Sequence, residues 1–243
     1  MGVREMKEVI FFVLSIPVFL VLYLFTAVMV TYVVLLSYLG FDRNVNPVIR
    51  FWARTVFLLT GRKVHLTGME NCQPGGQYLL VTNHASLFDI LAIMAFFPQV
   101  VWFGKSYLTR IPVFGRLLKI IHYVPRTQPG YRNTKEMLRR MIDHSGGRII
   151  ALFPEGTRTT TGHLNEFQRG FIHILRMSGS DLLPVTLNGF YRFKPKTRFS
   201  IGLGTKLGMV IHPPVPNALL MEKNDREIIA ETKHIIESAY QIK

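Results

Sequence analysis

The sequence predicts an α/β domain in which helices flank a central sheet, preceded by an N-terminal hydrophobic segment that enters a membrane. After residue 75, short apolar runs typical of buried strands alternate with amphipathic helical stretches. No charged residue occurs in the 33 positions between Glu8 and Asp42. Polar residues with reactive side chains follow three of the predicted strands, and ligands of α/β folds gather at the carboxyl ends of strands. These observations favour one shared site at one edge of the sheet.

The N-terminal apolar segment is long enough to cross a bilayer, for which about 20 apolar residues suffice. It exceeds one straight span, and Pro17 lacks a backbone donor, so it could kink a helix. Two geometries remain: one tilted helix, or a bent pair of helices dipping into one leaflet. A cleaved signal peptide is a third interpretation, although its apolar core usually has about 7–15 residues. We expect a membrane anchor over 1–45 and a second domain over 46–243.

The remaining elements follow from periodicity and from capping residues. Ser86 is expected to cap a helix, with Asp89 in its first turn. Asn133 with Glu136 forms a capping-box pattern, and Asn224 precedes a final amphipathic helix. Strands are predicted at 77–82, 100–103, 148–152 and 182–187, with one or two edge strands within 199–212. Helices are predicted at 87–94, 106–119 with a break at Pro112, 133–142, 167–177 and from 224 onward. The segment 41–75 is expected to be a basic connector.

The net charge of +14 requires an anionic partner, either a nucleic acid or a membrane surface. No RNP-type aromatic pattern, zinc-finger spacing or recognition-helix signature supports nucleic acid. Lysine and arginine beside a membrane gain about 1 kcal/mol each near anionic lipid. The apolar segment therefore favours the membrane and excludes nucleic acid as the expected partner.

Charge and cysteine content also predict which side of the membrane holds the larger domain. Positive residues dominate the flank that follows the apolar segment: Arg43, Arg50, Arg54, Arg62 and Lys63. By the positive-inside rule this flank faces the cytoplasm. A single cysteine, Cys72, excludes an intramolecular disulfide and agrees with a reducing compartment.

Two segments carry the candidate chemistry, NHASLFD at 83–89 and FPEGTR at 153–158. The imidazole of His84 can accept a proton at neutral pH, and Asp89 can accept from its other ring nitrogen, fix the tautomer and stabilise the imidazolium. A His-x4-Asp pair alone occurs often by chance, whereas a six-residue string such as FPEGTR does not. Neither HExxH nor paired Cys/His spacing is present, so no metal site is expected.

The chain resembles the glycerolipid acyltransferases, most closely the 1-acyl-sn-glycerol-3-phosphate acyltransferases, over roughly residues 60–215. Four blocks match in the family's order: NHASLFD at 83–89 for the family's NHxSxxD; Phe103, Gly104 and Lys105 through Pro112 and Gly115 to YVPR at 123–126; FPEGTR at 153–158, then Gly162, Leu164, Phe167 and Gly170; and LPVTLNG at 183–189. Ser106 departs from the pattern, since many relatives have a glutamate after the lysine.

The resemblance implies a glycerol-3-phosphate acyltransferase-like fold and a reaction. A fatty acyl group would move from an acyl thioester to the free hydroxyl of 1-acyl-sn-glycerol-3-phosphate, giving phosphatidate. No bound cofactor is implied, because the co-substrate is acyl-CoA or acyl-acyl carrier protein. The implied location is a bacterial inner membrane, with the catalytic domain on the cytoplasmic side.

The residues implied to bind substrate are Lys105, Arg126, Glu155, Gly156, Thr157 and Arg158. The planar fork of Arg158 suits two phosphate oxygens, and Lys105 can add a point charge, with Arg126 as a third cation. Glu155 would hydrogen-bond the glycerol or hold its loop by pairing with a cation. Gly156 would supply a backbone angle that a side chain forbids.

Three alternatives remain at this stage. Another acceptor within the family, such as glycerol-3-phosphate, a lysophospholipid or a lyso-aminolipid, uses the same chemistry. A membrane esterase would need Ser86 or Cys72 as a nucleophile. A basic, membrane-anchored binding protein would perform no turnover.

Overall fold

A seven-stranded sheet forms the centre of the molecule, in the order β1-β7-β6-β2-β5-β3-β4. The computed structural model describes residues 3–111, 114–121, 123–126, 139, 142, 146, 149–202 and 204–241. The strands are β1 (Val64–Thr67), β2 (Tyr78–Thr82), β3 (Val101–Lys105), β4 (Val124–Arg126), β5 (Ile150–Leu152), β6 (Asp181–Asn188) and β7 (Leu207–Ile211). The pair β6 and β7 is antiparallel and the other neighbours are parallel.

Apolar layers cover both faces of the sheet, which confirms the predicted α/β architecture. β2 is buried at all five positions because it lies in the middle of the sheet. Leu80 belongs to the larger core cluster, which includes residues of α1 (Val3–Tyr38), α2 (Val45–Leu59) and α3 (Phe88–Phe96). Leu79 and Val81 point to the opposite face and join the second cluster.

The remaining helices follow in chain order. They are α4 (Phe114–Ile120), α5 (Gly170–Ser178), α6 (Phe190–Phe193), α7 (Asn217–Met221) and α8 (Asp225–Ser238). As predicted, Asn224 caps α8, accepting from the backbone of Arg226 and Glu227 in a full capping box. Most of the helix predicted at 133–142 lies outside the described residues.

Two predictions about individual elements were wrong. The segment 41–75 is more than a connector, because it holds the amphipathic helix α2 and the strand β1. β1 forms the edge of the sheet, so β7 lies inside it and is not the predicted edge strand. The alternating burial of β7, with Leu207, Met209 and Ile211 inward, is compatible with either position.

α1 is one continuous helix of 36 residues that runs through Pro17. Its stretch Val9–Tyr38 is apolar and long enough to cross a membrane, and only 11% of its most apolar window is buried within the protein. This exposure indicates membrane association. α2 packs against α1, where Trp52 Nε1 donates to Thr26 Oγ1 over 3.2 Å and the rings of Phe25 and Phe51 meet edge to face.

Candidate active site

The candidate residues converge at one edge of the sheet because five neighbouring parallel strands end there. In sheet order these strands are β6, β2, β5, β3 and β4. His84 follows β2, and the FPEGTR loop follows β5 beside it. Lys105 and Arg126 end β3 and β4 and are register partners. In this order Arg158 lies in the loop after β5, the strand next to β2, and Lys105 and Arg126 end strands farther along the sheet.

The structure brings His84 and Asp89 together. The distance between His84 Nδ1 and Asp89 Oδ2 is 2.9 Å. A carboxylate only accepts hydrogen bonds, so Nδ1 carries the proton and Nε2 is the basic nitrogen. Among the residues that the structure describes, Nε2 has no hydrogen-bond partner. The imidazole is therefore oriented by protein on one side and open to a ligand on the other.

Asp89 is fully buried in the first turn of α3. Its Oδ2 also accepts from the backbone N–H groups of Ala85 over 2.6 Å and Ser86 over 2.7 Å. Burial raises the pKa of Asp89, and the hydrogen bonds and charge of His84, with the two backbone donors, oppose that rise. Its Oδ1 is buried without a partner among the described residues, which adds to the cost of the charged form.

Glu155 connects the two motifs through the backbone. Its Oε1 accepts from His84 N over 2.6 Å, and its Oε2 accepts from Asn165 N over 2.9 Å. Burial raises the pKa of Glu155 to about 7, against the effect of these two donors. Of its two expected roles, the Glu155 carboxyl therefore has the structural one, because it holds its loop in place. It does so by accepting from backbone N–H groups, and no described cation pairs with it.

The FPEGTR loop wraps around the backbone of His84. Gly156 has a φ of 68°, which confirms the prediction that this position needs a left-handed backbone angle. Thr159 N donates to His84 O over 2.9 Å, so the loop holds both the N–H and the carbonyl of His84. Thr157 is exposed and Arg158 is half-buried. Arg158 has no carboxylate partner among the residues described.

An apolar cavity of about 360 Å³ opens beside His84. The ring of Phe153 stacks on the imidazole with centroids 3.7 Å apart, and Trp102 stacks behind Phe153 at 5.7 Å. The cavity is lined by Trp52, His84, Ile90, Leu91, Met94, Trp102, Leu117, Leu118, Ile121, Tyr123, Leu152, Phe153 and Gly156. This size and lining suit an apolar ligand whose polar end meets the imidazole.

Neither nucleophile required by the esterase alternative is placed for catalysis. Ser86 is fully buried, and its hydroxyl donates to Lys194 O over 2.7 Å. It also accepts from Phe88 N over 3.3 Å, but the N-cap of α3 is Leu87, without a side-chain capping bond, so the predicted cap at Ser86 was wrong. The role of Ser86 is still structural, because its hydroxyl fixes the loop before α3 to Lys194 O. Cys72 precedes β2 and lies at the opposite edge of the sheet, and burial raises the pKa of its thiol. Within the described part of the chain, no group of three or more His, Cys, Asp or Glu residues could hold a metal ion.

Sequence reasoning missed the roles of three residues near the carboxyl ends of these strands. Asn83 clamps β6 by donating to Leu187 O over 2.9 Å and accepting from Leu187 N over 2.7 Å. Phe153 was part of a motif, but its stacking on His84 was not predicted. Lys194 follows β6, and its carbonyl accepts from Ser86; the one available signal was that a basic segment follows the strand predicted at 182–187.

Comparisons with known proteins identify the family and the fold of the chain. The model of a family described as Acyltransferase matches residues 63–188, just over half of the chain. The chain belongs to this acyltransferase family. The match spans the strands from β1 to β6 and includes both motifs.

Several relatives of this acyltransferase-family chain are named 1-acyl-sn-glycerol-3-phosphate acyltransferase. One from Brassica napus, chloroplastic BAT2, is 26% identical over 77% of this chain and 55% of its own length. One from Cocos nucifera is 33% identical over 56% and 44%, and one from Borreliella burgdorferi is 28% identical over 70% and 68%. The chain spans about half the length of the plant relatives.

A solved structure supports the fold over nearly the whole chain. The 1-acyl-sn-glycerophosphate (LPA) acyltransferase PlsC from Thermotoga maritima matches with a TM-score of 0.80. The match covers 97% of this chain and 95% of that one, at 23% identity. The similarity includes the N-terminal helices as well as the sheet.

Proposed function

We propose that this protein transfers a fatty acyl group from an acyl thioester to the free hydroxyl of 1-acyl-sn-glycerol-3-phosphate, giving phosphatidate. The observation that carries the proposal is the 2.9 Å contact between His84 Nδ1 and Asp89 Oδ2 beside an apolar cavity. Family membership makes acyl transfer the expected chemistry. The names of the relatives supply the acceptor.

The reaction then proceeds by direct attack, without an acyl-enzyme. Nε2 of His84 removes the proton from the acceptor hydroxyl while the oxygen of that hydroxyl attacks the carbonyl carbon of the thioester. Asp89 stabilises the imidazolium that results. The tetrahedral intermediate collapses, the C–S bond breaks, and the thiolate leaving group takes the proton from His84. The committed hydroxyl of Ser86 favours this route over a covalent one.

The donor and acceptor would approach from different sides of the imidazole. The acyl chain of acyl-CoA or acyl-acyl carrier protein would enter the apolar cavity, whose wall includes Met94 and Leu117. The acceptor phosphate would bind the cations that follow or end the strands, with Arg158 in the loop after β5 and Lys105 and Arg126 at the ends of β3 and β4. Glu155, Gly156 and Thr157 would hold the loop that presents Arg158.

The membrane helix explains how a lipid acceptor reaches this site. Residues 1–45 would form the anchor and 46–243 the catalytic domain on the cytoplasmic face of a bacterial inner membrane. Tyr38 ends α1, and the guanidinium of Arg116 in α4 lies over its ring, 3.5 Å from the centroid. An aromatic ring with a cation beside it is typical of the membrane–water interface.

The test is thioester-dependent phosphatidate formation by purified membranes, comparing wild type with His84→Ala. A general base contributes about 10²–10⁴-fold, so the variant should lose about that much activity. His234→Ala is the matched control, because that histidine is exposed on α8 and should leave the rate unchanged. Equal rates for wild type and His84→Ala would reject the mechanism. A wild type that acylates other lysolipids but not this one would show that the acceptor is wrong.

A further inference from the structure

Lys194 lies at the same sheet edge as His84, on the side opposite to Lys105 and Arg126. It follows β6 and the short helix α6, and β6 is the parallel neighbour of β2. Its carbonyl accepts from Ser86 Oγ over 2.7 Å, and Ser86 is two residues from His84. The backbone of Lys194 is thus one hydrogen bond from the catalytic loop. Arg158 and Lys194 lie in the segments that follow β5 and β6, the two strands that flank β2.

Two arginines, Arg158 and Arg198, add positive charge around Lys194. Burial lowers the pKa of Lys194, and the charges of Arg158 and Arg198 lower it further. Neither Lys194 nor Arg158 forms a salt bridge with any residue that the structure describes. Like charges held together in a partly buried setting repel one another, and a bound anion removes that repulsion.

The ammonium of Lys194 is held in place but retains a free donor. Its Nζ donates to the carbonyls of Pro195, over 3.2 Å, and Arg198. An ammonium group has three N–H donors, so two bonds orient it and one is available to a ligand. The lysine therefore has the fixed geometry of a binding group.

The loop that carries Lys194 is also attached to the membrane helix. The ring of Phe199 packs on Phe12 and Phe19 of α1, with centroids 5.3 Å and 4.9 Å apart. Ile201 N donates to Ser15 Oγ over 2.8 Å. The loop that carries Lys194 thus packs against the helix that brings the protein to lipid, where a lipid-borne anion would arrive.

We propose that Lys194 binds the phosphate of the acceptor lipid together with Arg158, and that it determines the preference for phosphorylated over uncharged acceptors. The inference rests on the proposed function, because the acceptor is taken to be a phosphorylated lysolipid. It adds a cation outside both sequence motifs.

The test compares Lys194→Gln, Lys194→Arg and wild type with two acceptors, 1-acylglycerol-3-phosphate and uncharged monoacylglycerol. Losing a hydrogen bond to a charged group should raise KM for the phosphorylated acceptor about tenfold to hundredfold, with kcat changed far less. Monoacylglycerol turnover should be unaffected, and Lys194→Arg should recover most of the loss. Lys196→Gln is the matched control, since Lys196 lies exposed on the same loop.

A structural role for Lys194 predicts a different result. Lys194→Gln would then lower kcat equally with both acceptors and lower the unfolding temperature, and this outcome would overturn the inference. An unchanged KM for the phosphorylated acceptor in Lys194→Gln would also overturn the inference. The proposed function would still stand in that case, provided that the wild type acylates this acceptor.

Equilibrium binding of both lipids in uncharged detergent micelles separates the two proposals. One outcome is that the wild type binds the phosphorylated lipid more tightly than the uncharged one, that Lys194→Gln weakens this binding, and that the wild type shows no turnover. That outcome would support the inference and reject the proposed function. Equal binding of both lipids by wild type and Lys194→Gln would reject the inference.

Discussion

Two groups of charged residues share one edge of the sheet and are stabilised in opposite ways. In the first, Asp89 Oδ2 receives three donors and both oxygens of Glu155 are bonded, all from protein atoms. In the second, Arg158 and Lys194 have no described carboxylate partner. The first group needs no ligand to fix its geometry, whereas an anion would complete the second.

The difference indicates a division of work within the proposed reaction. Groups that act on the reacting atoms are most effective when they are oriented before substrate arrives, because no reorganisation is then needed. Groups that bind a charged substrate must keep their charge available to it. Breaking the first group should therefore affect the rate of the chemical step, and breaking the second should affect the affinity for the acceptor.

Asp89→Asn should have the largest effect of the variants that follow. An asparagine amide can donate to Nδ1, so the ring can adopt the tautomer in which Nε2 carries the proton and cannot act as a base. The equivalent change in a Ser-His-Asp triad costs about 10⁴-fold, and we expect a loss of about 10²–10⁴-fold in kcat. Steady-state kinetics with thioester donor and lysophosphatidate would measure it.

The control for Asp89→Asn is Glu237→Gln, a neutralised carboxyl on the exposed surface of α8. It should match wild type in kcat. The comparison between the two groups would fail if Asp89→Asn raised KM for the acceptor and left kcat within threefold of wild type.

Glu155→Gln should have an intermediate effect, on stability and on its pH dependence. Glutamine offers one acceptor oxygen where the carboxylate offers two, so the N–H of either His84 or Asn165 loses its partner. An unsatisfied buried donor costs about 1–3 kcal/mol in the free energy of unfolding. Thermal unfolding in detergent would measure the loss, with Glu222→Gln as an exposed control.

The raised pKa of Glu155 gives the sign of the pH dependence. The carboxyl has a pKa of about 7 in the folded protein and an ordinary value of 4.5, so the folded state holds more protons in between. The free energy of unfolding should therefore fall as pH rises through this range, by at most about 1.4 kcal/mol per pH unit from this group. The difference between wild type and Glu155→Gln should shrink over the same range. A difference that grows with pH would show that the donors outweigh burial.

The sequence predicted the local part of this site better than the distant part. His84 and Asp89 are five residues apart at the start of a helix, so their contact follows from strand-then-helix geometry. Glu155 contacts a backbone N–H 71 residues away, and Ser86 a carbonyl 108 residues away. Such contacts depend on strand order, and no periodicity in the sequence specifies that β6 lies beside β2.

The same reason explains the errors in the fold. The burial pattern of β7 fits an edge or an interior position, and the choice depends on β1, a four-residue strand hidden in a basic segment. Residues 45–59 read as a connector because their charges stood out, although the apolar residues Val45, Ile49, Ala53 and Val56 form one face of α2. Where local residues determine the structure of an element, as Asn224 does by capping α8, the prediction was correct.

Ser15→Ala should give the smallest effect and sharpen the comparison most directly, because it loosens the loop that carries Lys194 and changes neither His84 nor Asp89. The substitution leaves the buried N–H of Ile201 without its acceptor, which should cost about 1 kcal/mol of unfolding free energy, the lower end for such a group. We expect KM for lysophosphatidate in vesicles to rise about two- to threefold, in keeping with a loss of under 1 kcal/mol in binding, while kcat stays constant. Thr31→Ala is the control, since that hydroxyl bonds only within α1, to Ala27 O over 2.9 Å. A fall in kcat with unchanged KM would mean that α1 acts on the His84 side of the site, and that the two groups are not independent.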